Sequence, residues 1–209
     1  MTGVPVTKQS RQGRRSFIEE ARRRQIVEAA IDVIAESGYA RASLERIALR
    51  ADISRGLISY HFAGRDELIA AVVARIFAEG AEYIRPRVEA ASTPGEMLHA
   101  HLQSSLEYMR DHRAQLIAMV EIAAGGGRGE LRPGLDAIAR GVNALEDILR
   151  SGQRTGEFRQ FDPRVMAIAI RNVIDGVPRH MAADPDLDMD ACTREIVTMF
   201  SLATAKEES

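Results

Sequence analysis

Apolar residues recur along most of this chain at three- and four-residue spacing with charges between them, a period that predicts helices rather than strands. Ile26, Ala29, Ala30, Val33 and Ile34 mark one face of a helix over 21–37, and Gly38 supplies its stop. Two short helices follow over 44–51 and 55–62, separated only by Asp52, Ile53 and Ser54, with Ser43 and Ser54 each placed as an N-cap. A longer helix begins at Arg65, with Asp66 and Glu67 in its first turn, and Pro86 should kink or end it. Further helices read over 94–111, 113–124, 134–155, 163–182 and 189–206. Thr93-Pro94-Gly95-Glu96 and Asp162-Pro163 mark two of their starts. The run Gly125 to Gly129 is a break between helices. It lacks the preceding strand and the following Gly-Lys-Ser/Thr of a phosphate cradle, so it reads as a mobile loop. Residues 1–20 mix Arg, Gln, Gly, Pro and Ser without apolar period and read as a flexible basic arm or a solubilising tail.

Composition adds limits to this all-α reading. The chain has 209 residues, 5% aromatic content and no Trp, which favours helix over sheet. Its lone cysteine, Cys192, can form no internal disulfide, and no Cys/His metal spacing or cofactor motif occurs. No apolar run follows the basic N-terminus as in a signal peptide, and charges interrupt every stretch that could cross a bilayer. The expectation is a cytoplasmic protein without membrane, metal or cofactor. Net charge is −2, which argues against a generic polyanion binder, yet the part through Leu68 is net positive and the remainder net negative. A nucleic acid would therefore meet the N-terminal third.

Two helices of about eight residues joined by a three-residue turn suit a helix-turn-helix, whose second helix enters the major groove. Ile47, Ala48, Ile53 and Ile58 would form its small core. The run from Ser43 to Leu68, SLERIALRADISRGLISYHFAGRDEL, closely resembles the signature of the TetR family of transcription regulators, with Ser43, Ile47, Ala48, Ala51, Ser54, Gly56, Tyr60, His61, Phe62 and Leu68 at matching positions. Three residues depart from that pattern. Asp52 stands where the family usually has Gly, Ser59 replaces a commonly aromatic residue, and Arg65 replaces the usual Lys. Asp tolerates a left-handed corner better than most residues but less well than Gly, so some strain is expected there. The resemblance implies that Arg55, Gly56, Ser59 and Tyr60 face the major groove, where Arg55 could read a guanine. It further implies that Ser43, Ser54, His61 and Arg65 orient the domain or contact phosphates, although each residue could equally be a cap or a solvated charge.

The resemblance divides the chain into the arm (1–20), a three-helix DNA-binding domain (21–68) and a larger helical domain (69–209) for effector binding and dimerisation, joined through a linking helix. It implies a homodimer on a two-fold operator in double-stranded DNA, acting as a repressor that a small-molecule effector releases. In 163–182 one apolar stripe holds Val165, Ile168, Ala169 and Val173, and a second holds Met166, Ile170, Ile174 and Val177. The second stripe, with Ile196 and Phe200, is the candidate dimer face; a single monomeric core is the alternative. Met97, His101, Ser105, Tyr108, Ile117 and Glu121 combine apolar and polar groups in the way a small-ligand pocket does, though such a stripe is also ordinary core. Two competitors stay open: an activator or architectural DNA-binding protein that needs no ligand, and a helical enzyme. The second lacks any nucleophile–base arrangement.

Overall fold

A computed structural model describes the backbone of residues 8–206 and the side chains of residues 17–206. Among the described residues there are nine α-helices and one isolated bridge, Phe158 to Ala205, in place of any strand. The helices are α1 (Lys8–Ser37), α2 (Leu44–Arg50), α3 (Arg55–His61), α4 (Arg65–Glu89), α5 (Pro94–Asp111), α6 (Arg113–Gly125), α7 (Arg128–Thr155), α8 (Pro163–Ala183) and α9 (Met189–Thr204). A 3-10 turn, Tyr39–Arg41, connects α1 to α2. No helix among the described residues is long and apolar enough to cross a membrane.

The start signals work as the sequence suggests. Ser43 and Ser54 accept hydrogen bonds from the backbone N–H groups of Arg46 and Leu57, Thr93 and Glu96 form a reciprocal capping box, and Asp162 caps α8. At the corner after α2, Asp52 has φ 53° and is the described non-glycine residue with positive φ. Ile53 N–H bonds to the Ala48 carbonyl and Asp52 N–H to that of Leu49, the two bonds of a Schellman close that needs a left-handed residue there.

Three boundaries differ from expectation. The helical backbone of α1 starts at Lys8, so 8–20 is no irregular arm, while 1–7 lie outside the described residues. Good helix formers such as Gln, Arg and Glu can extend a helix with no buried face, and such an extension leaves no apolar period to read. The glycine run is not one loop: Gly125 ends α6, and α7 starts at Arg128, taking in Gly129, Pro133 and Gly134. Pro133, the sixth residue of α7, removes the N–H that would bond to the Gly129 carbonyl, so the helix runs through it at the loss of one bond near its start. Pro86 lies within the last turn of α4, where it removes one helical bond, and the helix runs on only to Glu89.

Two cores form. One unites α1 to α4 with Ala118 and Ile122 of α6, and the other unites α5, α7, α8 and α9. The expected boundary at 68–69 does not separate the packing, because the first core runs on through α4 and takes in Ala118 and Ile122 of α6.

That second core also corrects the dimer face. Ile170, Ile174, Val177 and Phe200 are buried in their own subunit, and Met166 and Ile196 are half-buried against them. On α8 and α9 the exposed large apolar residues are Val165, Ile168, Met199 and Leu202, at 63%, 42%, 46% and 71%. Helical periodicity yields two stripes, and the sequence alone does not say which one the monomer keeps.

Candidate nucleic-acid interface

Arg55, Gly56, Ser59 and Tyr60 are all exposed, and their spacing along α3 places them on one face. Behind that face Ile58 is fully buried with Ile47 and Ala48, which fixes the crossing of α2 and α3. Tyr60, 66% exposed, rests edge-on against the His61 ring at 5.0 Å. A Cβ at Gly56 would meet no protein atom nearer than the Ser54 hydroxyl at 3.9 Å, so packing inside the chain does not require the glycine. Room for a closely approaching backbone is the use left for it.

Side chains from α1 close both short helices. Gln25 Nε2 donates to the carbonyl of Ala51 at 2.8 Å, satisfying the end of α2. Arg23 donates to the carbonyl of His61 at the end of α3 and lies 4.1 Å over the Phe62 ring. These residues orient α2 and α3, yet no local pattern announces them because their partners lie 26 and 38 residues away. His61, half-buried, serves the same closure through its backbone.

Arg55 forms an ion pair with Glu45 at 2.8 Å, with both side chains more than half exposed. The backbone N–H of Glu45 itself, the Ser43 hydroxyl and Arg55 hold the Glu45 carboxyl below its ordinary range, so it carries its charge at neutral pH. Arg55 must leave this partner to read a guanine. Arg55→Ala is expected to reduce discrimination among operator variants by about 1 to 3 kcal/mol, the usual worth of one bidentate base contact. Glu45→Gln is expected to strengthen binding to random duplex DNA and steepen its salt dependence. Fluorescence anisotropy across a panel of duplexes and salt concentrations checks both; uniform weakening by Arg55→Ala would remove its reading role.

Arg65 points inward. Its guanidinium donates to the carbonyls of Tyr39 at 2.6 Å and Ala42 at 3.1 Å, and it stacks 4.1 Å over the Tyr39 ring. These bonds occupy it within the protein, as the orienting alternative of the two expected for it requires. Ser43 and Ser54 are likewise spent as N-caps, a use compatible with a phosphate nearby.

The six pocket candidates are not brought together. His101, Ser105 and Tyr108 are buried along α5, and Met97 and Ile117 are half-buried. Glu121 instead accepts the backbone N–H of Tyr39 at 3.2 Å and faces the DNA-binding unit, which corrects its assignment to the pocket. His101 Nε2 is buried without a hydrogen-bond partner, and burial together with nearby Arg171 pushes its pKa down to about 4. Arg171 pairs with Asp175 at 2.6 Å, and burial raises the Asp175 carboxyl. Open clefts lie elsewhere. One of about 240 Å³ is lined by Phe17, Glu20, Ala21, Arg24 and Arg75, and one of about 370 Å³ by residues including Val177, His180, Leu187 and Cys192.

A short helix closed by α1 and presenting Arg, Gly, Ser and Tyr outward from a helix-turn-helix is the arrangement of a DNA-binding unit. Residues 26–72 match the family described as bacterial regulatory proteins, tetR family. Over 180 residues the chain is 25% identical to the fatty acid metabolism regulator protein of Bacillus subtilis, covering 84% of this chain and 92% of that one. Two solved structures share the fold. The transcriptional regulator FadR from Bacillus subtilis in complex with stearoyl-CoA has a TM-score of 0.76 at 20% identity, covering 85% of this chain and 96% of that one. A transcriptional regulator from Saccharomonospora viridis in complex with choline has a TM-score of 0.79 at 19% identity, covering 88% and 98%. Residues 26–72 therefore match tetR-family regulators, and the relatives found over most of the chain are transcriptional regulators rather than enzymes.

Proposed function

We propose that the protein is a homodimeric repressor that grips a two-fold operator through α3 of each subunit and is released by a small, largely apolar effector bound in the larger domain. The observation that carries the reading is the exposed face of Arg55, Gly56, Ser59 and Tyr60 on a helix too short to read more than a few bases. Doubling the site by two-fold symmetry is the usual remedy for so small a reading surface, with half-sites one DNA turn apart. Exposed apolar residues on α8 (Val165, Ile168) and on α9 (Met199, Leu202) supply apolar surface for the second copy.

For the effector, two observations matter. The interior around α5 is apolar apart from a few groups, and the unpartnered Nε2 of His101 offers one hydrogen-bonding atom within it. The likeness to a fatty acid regulator and to a fold that holds stearoyl-CoA favours a long-chain acyl compound; choline, a cation held by the other structure, is the contrasting ligand that an apolar site should refuse.

Genome-wide footprinting tests the DNA half, because a repressor protects sequence overlapping a promoter, whereas an activator protects sequence upstream of it. Calorimetric titration with stearoyl-CoA and with choline, each with and without operator, tests the other half. Release is expected as a 5- to 150-fold loss of DNA affinity, about 1 to 3 kcal/mol of coupling, and operator must weaken the effector by the same factor. Equal effector affinities in the two titrations would refute release by that ligand.

A further inference from the structure

Tyr39 is the most completely engaged residue of the turn that leads into α2. Its phenol donates to the carboxylate of Glu130, lying 2.8 and 2.9 Å from the two oxygens. Its backbone N–H is taken by Glu121, its carbonyl by Arg65, and its ring lies under the Arg65 guanidinium. Both carboxylates belong to the larger domain, on α6 and in the first turn of α7, while Tyr39 and Arg65 flank the helix-turn-helix. Glu130 is 5% exposed, accepts the N–H of Gly127, and has Arg65 Nη1 3.9 Å away. Arg65 also holds the carbonyl of Ala42, the residue just before the Ser43 cap of α2. A chain of direct contacts thus runs from the α6–α7 junction to the start of α2.

The junction is shaped to receive this ring. A Cβ at Gly125 would lie 2.6 Å from Tyr39 Cδ1, a distance that side chains do not adopt, so the glycine lets α6 end against the ring. Burying a carboxylate is costly, and apolar residues of similar volume often stabilise as well as a buried polar network does. What the network supplies beyond stability is a single geometry, since its hydrogen bonds fix direction where apolar contact would permit sliding.

We propose that Glu130 and Tyr39 are positioning residues for DNA recognition, through which the α6–α7 junction of the larger domain sets the placement of α2 and α3. This rests on the reading of α3 as the DNA-contacting helix. Coupling of this kind is reciprocal, so DNA bound at α3 must tighten the junction as the junction steadies α3.

Hydrogen exchange on the full chain tests this without an effector, using a duplex selected from genomic DNA by the wild-type protein. In the wild type, that duplex is expected to slow exchange at 43–62 and, remote from DNA, at 122–131 by fivefold or more. Tyr39→Phe, which keeps the ring but loses the hydroxyl, is expected to retain the first effect and lose most of the second. Its affinity for the selected duplex should fall about 5- to 20-fold, with affinity for random duplex within twofold of wild type. Glu130→Gln keeps an acceptor for the phenol and should behave as wild type, whereas Glu130→Ala should match Tyr39→Phe and add nothing to it in the double variant. Undiminished protection of 122–131 in Tyr39→Phe, or its absence in the wild type, overturns the proposal. So does a parallel loss of melting temperature and of both DNA affinities, the mark of a purely structural role. If the duplex protects nothing at 43–62 in the wild type, the DNA-interface reading itself fails and takes this proposal with it.

Discussion

Ile168→Glu combined with Leu202→Glu is expected to yield a folded monomer whose operator affinity is about 100- to 10,000-fold below that of the wild type. Both side chains are exposed in the single subunit, at 42% and 71%, so a carboxylate at either position can stay hydrated and leave the core intact. In a two-fold dimer the same surfaces face their own copies, and each substitution brings like charges together in a dry contact. Losing the dimer makes each half-site bind alone, and the effective concentration gained by linking two binding events is typically worth that factor. The contrast with Ile174→Glu is sharp. Ile174 is fully buried among α5, α7 and α8 residues, so a charge there should unfold the subunit rather than separate two of them. Sedimentation, melting temperature and operator titration together check the pair; an undisturbed dimer in Ile168→Glu/Leu202→Glu would exclude this face.

The same residues show where a sequence stops being legible. Period alone reveals helices and their apolar stripes, and local chemistry reveals caps, so Ser43, Ser54, Thr93, Asp162 and the left-handed Asp52 could all be read along the chain. Choosing between the stripes of α8 requires knowing what packs on each, which is a property of distant residues. Arg65 illustrates the point in one side chain: a cation at the start of α4 suits a phosphate, and only the nearness of Tyr39, Ala42 and Glu130 turns it inward. Glu121 reads along the chain as a polar group beside apolar ligand candidates, but the end of α6 reaches the turn after α1. The outward face of α3 is more legible because Ile47, Ala48 and Ile58, buried behind it, lie close along the chain, although the α1 side chains that close both helices do not.

Lowering the pH from neutral toward 4 is expected to destabilise the fold by roughly 3 kcal/mol through His101 alone, integrating a pKa moved from its ordinary value near 6.5 to about 4. Burial is the larger cause and the Arg171 charge the smaller, and both disfavour the imidazolium in the folded chain. The unfolded chain therefore binds the proton more readily. Its contribution is full above about pH 6.5 and is lost as pH falls toward about 4. Asp175 works in the opposite direction, because burial raises its carboxyl and the folded chain takes up that proton more readily than the unfolded one. His101→Leu separates the two. It removes the titrating ring and the unpartnered Nε2 while leaving Arg171 and Asp175 in place. Near pH 7 the variant should be close to wild type, since replacing an unsatisfied buried polar atom by an apolar group of similar size is nearly neutral or stabilising. Below pH 6 it should be the more stable of the two, with the gap widening as the acidity rises. Urea unfolding of both proteins at intervals from pH 7.5 to 4.5 measures that gap directly, and parallel curves would show that His101 is not held neutral by the fold.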